Sequence, residues 1–363
     1  MERLRLGVVG VGHLGKEHAR ILSTLADVEL VGVADPHAAQ AESVALRCNT
    51  RAFPGHPTLL PLVDAAVIAA PTLAHHVVAS DFLARGIPVL VEKPLTAEPH
   101  QAEELAALAQ RRGVVLQVGH IERFNPAFEA LQRLPLQPKY ISCERCGGFT
   151  GRSTDVGAVH DLMIHDLDLI LALVGSPVRS VEALGAAVLG GCEDLAQARL
   201  TFADGCVADI RASRVHPTAV RRMQVWAPEG FVAADLANRK LTLMQPAAHL
   251  RQGRLDSRRL DPSTAASLKA ELFGRHLQVR EVECTSVGDQ LTRELQEFVT
   301  CVRTGGRPRV DGAAGRDAVV LAGRVLEAMA NHRWNGEIDG PVGPRRLPAP
   351  RGVLFTDEAR EAA

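Results

Sequence analysis

Two kinds of pattern alternate over the first 120 residues. Continuous, valine-rich apolar runs occupy positions 4–9, 28–34, 65–70, 88–91 and 114–118. Runs this short and this uniformly apolar suit strands buried on both faces, as in a parallel sheet. Amphipathic stretches lie between them, near 13–25, 37–47, 73–85 and 98–112. Strand, helix, strand, repeated, predicts a doubly wound α/β domain.

After about residue 122 the pattern changes. Asn125 before Pro126 is a good helix start, with asparagine as cap and proline in the first turn, and the helix is expected to reach about residue 134. A strand-like run at 138–147 leads into a glycine-rich loop at 147–151, and 157–174 reads as a helix. Strand-like runs follow at 178–189, 194–203, 205–214, 220–227 and 230–236, with turn signals at 203–205 and 228–230. Consecutive strands joined by short turns predict an antiparallel sheet. Residues 246–278 show no clear period. Helices are expected at 288–303 and 313–331, and the Pro-, Gly- and charge-rich tail after Asn331 is expected to be extended or mobile. The chain therefore divides into a doubly wound domain, 1–122, and a second α/β domain, 123–363, which carries the tail.

Composition narrows the function classes. The 363 residues are 46% hydrophobic with a formal net charge of −1. That balance argues against a nucleic-acid surface or electrostatic membrane attachment, and no apolar run approaches a membrane span. Residues 1–5 lead straight into a strand, so a cytoplasmic enzyme without a signal peptide is expected. The seven cysteines are scattered, an odd count that suits a reducing compartment. Cys143 and Cys146 form a lone CxxC with no further ligand pair nearby, so no metal is expected there. Five lysines accompany 36 arginines, which makes the lysine at a strand end, Lys93, conspicuous.

The candidate chemistry begins at Gly10-Val11-Gly12-His13-Leu14-Gly15, which follows a strand and opens a helix. The first glycine permits the tight turn, the second lets backbone approach a pyrophosphate, and the third lets the helix pack on the strand. His13 and Leu14 lie inside this loop. Asp35 ends the second strand, where a carboxylate accepts from a ribose diol and repels a 2′-phosphate. NAD is therefore expected over NADP. Pro71, Thr72 and His75 follow the next strand and are candidate cofactor contacts.

Glu92 and Lys93 end the fourth strand, beside the expected nicotinamide position. Oxidising an alcohol needs a base for the hydroxyl proton and a donor for the oxygen as it gains charge. Lys93 suits the second task. Asp161 and His165, four apart on a helical pattern, share a face and suit the first, with the carboxylate orienting the imidazole. His160, Asp166 and Asp168 are runners-up. His160 and His165 are five apart, off the spacing that puts two metal ligands on one α-helical face. On the substrate side, Arg145, Arg152 and Arg221 lie near the expected cleft. Arg123, Asn125 and Arg214 are the chosen candidates, since arginine forks match a diphosphate.

Three motifs, GVVGVGHLG at 7–15, EKP at 92–94 and DxxxHD at 161–166, resemble the glucose–fructose oxidoreductase, inositol dehydrogenase and MocA family over roughly residues 4–331. The resemblance implies a Rossmann domain plus an α/β domain on a large, open, mostly antiparallel sheet that commonly forms an oligomer interface. It implies catalytic roles for Lys93, Asp161 and His165, and a homodimer or homotetramer. The strings VGHIERFNPA (118–127), DLMIHDLDLIL (161–171), DLAQARLTFADG (194–205) and ASRVHPTAVRRMQVW (212–226) resemble the bacterial UDP-N-acetylglucosamine 3-dehydrogenases within that family. That narrower likeness implies a nucleotide-sugar substrate, oxidation of its 3-hydroxyl with NAD, and an aminotransferase acting on the product toward lipid A. Inositol, a free sugar or a UDP-uronic acid would use the same chemistry. A non-catalytic sensor on this fold would have little use for Lys93, Asp161 and His165 together.

Overall fold

The computed structural model describes residues 2–151, 155–189, 191–253 and 255–332. Arg152 and the tail beyond residue 332 lie outside the described residues. The first half runs β1 (Leu4–Val9), α1 (Gly15–Leu22), β2 (Val28–Ala34), α2 (Ala38–Arg47), β3 (Arg51–Phe53), α3 (His56–Leu59), β4 (Ala65–Ile68), α4 (Thr72–Ala84), β5 (Val89–Glu92), α5 (Pro99–Arg112) and β6 (Leu116–Gly119). Its six strands are parallel in the order β3-β2-β1-β4-β5-β6. Every residue of β4, β5 and β6 is buried, as the uniform apolar runs predict. β3 was not expected: at three residues, two of them exposed, it is too short to show a period. The strand order reverses between β1 and β4, which opens a crevice beyond the carboxyl ends of the strands.

The second half adds α6 (Pro126–Gln132), β7 (Tyr140–Cys146), α7 (Ile164–Val174), β8 (Val178–Ala186), β9 (Leu195–Phe202), β10 (Val207–Ser213), β11 (Val220–Ala227), β12 (Gly230–Asp235) and β13 (Lys240–Pro246). Then come α8 (Ala248–Arg251), α9 (Pro262–Glu271), β14 (Leu277–Val282), α10 (Gln290–Thr304) and α11 (Gly312–Asn331). Eight strands form one sheet, ordered β14-β13-β12-β11-β7-β10-β9-β8. All neighbours are antiparallel except β7 and β10. In β9 buried and more exposed positions alternate strictly, the mark of a sheet with one covered face. The stretch without a clear period holds the helices α8 and α9 between the end of β13 and the start of β14.

One expectation needs correction. The helix expected over 157–174 is not one α-helix, because Val159–Met163 forms a π-helical turn that runs into α7. Five-residue hydrogen bonding changes which side chains share a face there.

The last two helices return to the first half. α11 packs on α5 as well as on β8 and α7. Leu295, Phe298 and Val299 of α10 join Leu6, Val8 and Leu22 in one buried cluster. Val118 N donates to Val310 O (2.9 Å), alongside a bridge between Gln117 and Asp311. The sheet changes near residue 122, but the core of the first half is completed from the far end of the chain. Among the described residues, no helix is long and apolar enough to cross a membrane.

Candidate active site

The glycine loop has the shape a dinucleotide needs. Gly10 sits at φ +81° against the backbone of Ala70, where a side chain would be strained and would collide. A Cβ on Gly15 would strike the Gly10 carbonyl, so helix and turn can pack only through glycine. A Cβ on Gly12 would meet nothing within 4 Å, and Gly12, His13 and Leu14 are exposed. The middle of the loop thus presents open backbone at the N-terminus of α1, suited to a pyrophosphate. Asp35, at the end of β2, accepts from Val11 N (2.9 Å) and His37 N (2.9 Å). Those bonds fix the carboxylate beside the loop, and its remaining lone pairs can take a ribose diol.

Thr72 opens α4 with Pro71 as its cap residue, and Thr72 N donates to Asp155 Oδ2 (3.2 Å) in the second half. The structure gives His75 and Glu92 internal partners. His75 is buried, with Nδ1 2.9 Å from Pro94 O and Nε2 2.8 Å from Ala70 O. Burial lowers its pKa, so the neutral ring donates to only one of these carbonyls at a time. The ring ties the ends of two strands together. Glu92 turns away from Lys93 to meet His18 Nε2 (2.7 Å), and its other oxygen accepts from Lys93 N (3.2 Å). Burial pushes the Glu92 carboxyl up, but His18 and Lys93 outweigh burial and hold it low.

Lys93 leaves β5 and crosses to the second half. Its Nζ donates to the Asp161 carbonyl at 2.7 Å and to Asp161 Oδ1 at 3.1 Å. Asp161 lies in the π-helical turn, and Val159 N at the start of that turn is held by Glu193 Oε1 (2.9 Å). His165 stands in the first turn of α7 with its Nδ1 buried and unpartnered. Burial, then the positive charges of Lys93, Arg145 and Arg221, hold its pKa well below the usual value. The ring is therefore a neutral base at ordinary pH.

Two further imidazoles face the same charge. His160 is buried with Nε2 unpartnered, its pKa pushed down to about 4 by burial and by Lys93. It lies in the π-turn, whereas His165 lies beyond it in α7, so a purely α-helical count does not relate the two. His120 follows β6, is fully buried, and was missed. The signal for it was its place at a strand's carboxyl end, the rim of the crevice.

The remaining candidates are bound up in the frame. Arg123 grips Asp168 with two bonds, at 2.6 and 2.9 Å. Asn125 caps α6, accepting from Ala127 N, while its amide donates to Glu122 Oε2 and Leu236 O. Both of its amide hydrogens are thereby engaged within the protein. Arg214 donates to Asp194 (2.6 Å) and to Val156 O (3.0 Å), steadying the segment that leads into the π-turn. Arg145 bridges Asp166 and Glu122 beneath the site; burial alone would lower its pKa, but the two carboxylates raise it. Arg221 differs: it is exposed, lies opposite Arg145 on β11, and has no carboxylate partner among the described residues.

Comparisons with known proteins place the family and the fold. The model of an oxidoreductase family with an NAD-binding Rossmann fold, Gfo/Idh/MocA, matches residues 4–120, and the C-terminal domain model of the same family matches 138–233. The UDP-N-acetylglucosamine 3-dehydrogenase of Acidithiobacillus ferrooxidans is 34% identical, over 91% of this chain and 98% of its own. A structure of that enzyme superposes with a TM-score of 0.78, covering 90% of this chain and 98% of that one at 33% identity. The scyllo-inositol 2-dehydrogenase (NAD(+)) of Bacillus subtilis is 28% identical over 85% of this chain and 89% of its own.

Proposed function

The chain belongs to the Gfo/Idh/MocA oxidoreductase family, and on that premise we propose that it oxidises the 3-hydroxyl of UDP-N-acetylglucosamine to a ketone. That it is an NAD-dependent oxidoreductase acting on CH–OH follows from the family. The observation that carries the chemistry is the meeting of Lys93 Nζ with Asp161, beside the neutral imidazole of His165.

NAD⁺, when bound, supplies the hydride acceptor. Gly10, Gly12, Gly15 and Asp35 would hold it, with Thr72 at the edge. His165 takes the hydroxyl proton. Lys93 donates to the same oxygen as negative charge develops on it, and Asp161 holds the ammonium in place. Since burial keeps His165 neutral, it stays a base well into acid pH.

The choice of sugar is supported by near full-length likeness to the Acidithiobacillus enzyme. Arg221 supports it too. Its free guanidinium suits a diphosphate, whereas Arg123 and Arg214 are already paired. The inositol relatives favour a second reading, a free polyol as substrate. The 3-keto product calls for an aminotransferase as the next enzyme, in the building of lipid A. The eight-stranded sheet offers the surface for a homodimer or homotetramer, and a cytoplasmic location fits both NAD and the sugar nucleotide.

NADH formation should be followed with UDP-N-acetylglucosamine, UDP-uronic acid, free sugars and inositols, with a 3-keto-sugar aminotransferase and glutamate removing product. Turnover with UDP-N-acetylglucosamine alone is expected, with a raised KM in Arg221→Ala. Turnover with inositol alone would overturn the sugar assignment.

A further inference from the structure

Two orphaned ring nitrogens set His120 apart from the other histidines of the site. It is fully buried, and neither ring nitrogen has a hydrogen-bond partner. An orphaned buried polar atom costs about 1–3 kcal/mol, so two on one ring call for a use. His120 stands edge-on to His165, with centroids 6.3 Å apart and planes at 89°. His165 Nδ1 is likewise buried and unpartnered. On another side, His120 Nδ1 lies 4.0 Å from Oδ2 of Asp168, the carboxylate gripped by Arg123.

A second histidine pair sets the scale. His249 and His276 are hydrogen-bonded nitrogen to nitrogen at 2.8 Å, with centroids 4.9 Å apart. The rings of His120 and His165 are farther apart by about 1.4 Å. One intervening water spans nitrogens at that spacing.

Resting on the reading of His165 as base, we propose that His120 takes the proton on from His165 and holds it beside Asp168. As the substrate O–H bond breaks, its proton joins Nε2 of His165, and the proton on His165 Nδ1 passes to His120. The hydride leaves the same carbon for NAD⁺, and the C–O bond becomes a carbonyl. His165 ends neutral with its tautomer exchanged. The groups facing His165 are Lys93, Arg145, Arg221 and His120, so a lasting charge on it would be opposed on every side. Burial, with Arg123 and Lys93, lowers the pKa of His120, but Asp168 and Glu92 work the other way and favour its cation. His120 is thus a positioning residue that acts through His165.

The test begins without substrate. In protein labelled with [15N]histidine and loaded with NAD⁺, His120→Phe should change the tautomer of His165 seen in nitrogen–proton correlation spectra. His120→Asn, which can still accept a hydrogen bond, should preserve it. His165 signals indifferent to His120→Phe would overturn the relay, whatever the sugar. With a sugar that turns over, both variants should lose kcat by about 10- to 100-fold, while KM and NAD affinity stay within about twofold. Full kcat in His120→Asn would overturn proton passage. If no sugar is oxidised and the His165 signals still respond, the substrate reading fails while the His165–His120 link stands.

Discussion

The ammonium of Lys93 is held more closely by backbone than by side chain, at 2.7 Å from the Asp161 carbonyl against 3.1 Å from its carboxylate. A carbonyl survives any substitution at position 161. Losing the carboxylate therefore loosens Lys93, while losing the amine deletes the donor itself. Lys93→Met should lower kcat by about 10²–10⁴-fold and Asp161→Asn by about tenfold or less, with NAD affinity nearly unchanged in both. Equal losses in steady-state kcat would show the carboxylate doing more than holding. These residues were legible because a strand end and a helical spacing each advertise themselves locally. His75, Glu92, Asn125 and Arg214 were not legible in the same way. Their partners are backbone carbonyls or residues far along the chain, such as His18 for Glu92, and only folding decides that pairing.

Helical period is where the sequence reading erred. Apolar residues around 159–163 look the same for an α-helix and a π-turn, so the spacing of His160 and His165 was counted on an α-helix that is not there. Two edge strands, β3 and β14, escaped for a related reason: in β14 the four central residues are all exposed, so no period of two is imposed. α10 shows the opposite case, a clear amphipathic helix with one residue against type. Glu294 is fully buried, and neither carboxylate oxygen has a partner. Burial, then Glu92 and Glu297, raise its pKa well above the ordinary value. The folded state then binds a proton that the unfolded state releases. The stability this contributes is complete below the ordinary glutamate pKa and is lost as pH rises through the folded one. Glu294→Gln should leave melting unchanged near pH 4 and stabilise the protein by roughly 1–3 kcal/mol at pH 8. A calorimetric series across pH checks this, and equal effects at both ends would contradict a buried neutral acid.

At the scale of the whole molecule, two sheets share one chain that closes on itself. A parallel and a mostly antiparallel sheet could be anticipated from the patterns, but the return of α10 into the first core could not, since an amphipathic face does not name its partner. Phe298 is the largest side chain of α10 in that core. Phe298→Ala should cost about 3–5 kcal/mol and weaken NAD binding, although it lies far along the chain from the glycine loop. Denaturant titration checks the first and NADH binding the second; a loss under about 1 kcal/mol would place α10 outside the core. Lys93 joins the halves as well, and that contact bears on the choice of substrate isomer. An ammonium has three hydrogens, and Asp161 occupies two of them. The third points in one direction only, fixed from both sides of the cleft. Of two epimers differing at the reacting carbon, one can set its oxygen on that hydrogen while turning its C–H toward the nicotinamide. The other can meet either demand but not both, so which epimer is oxidised is decided before any bond is broken.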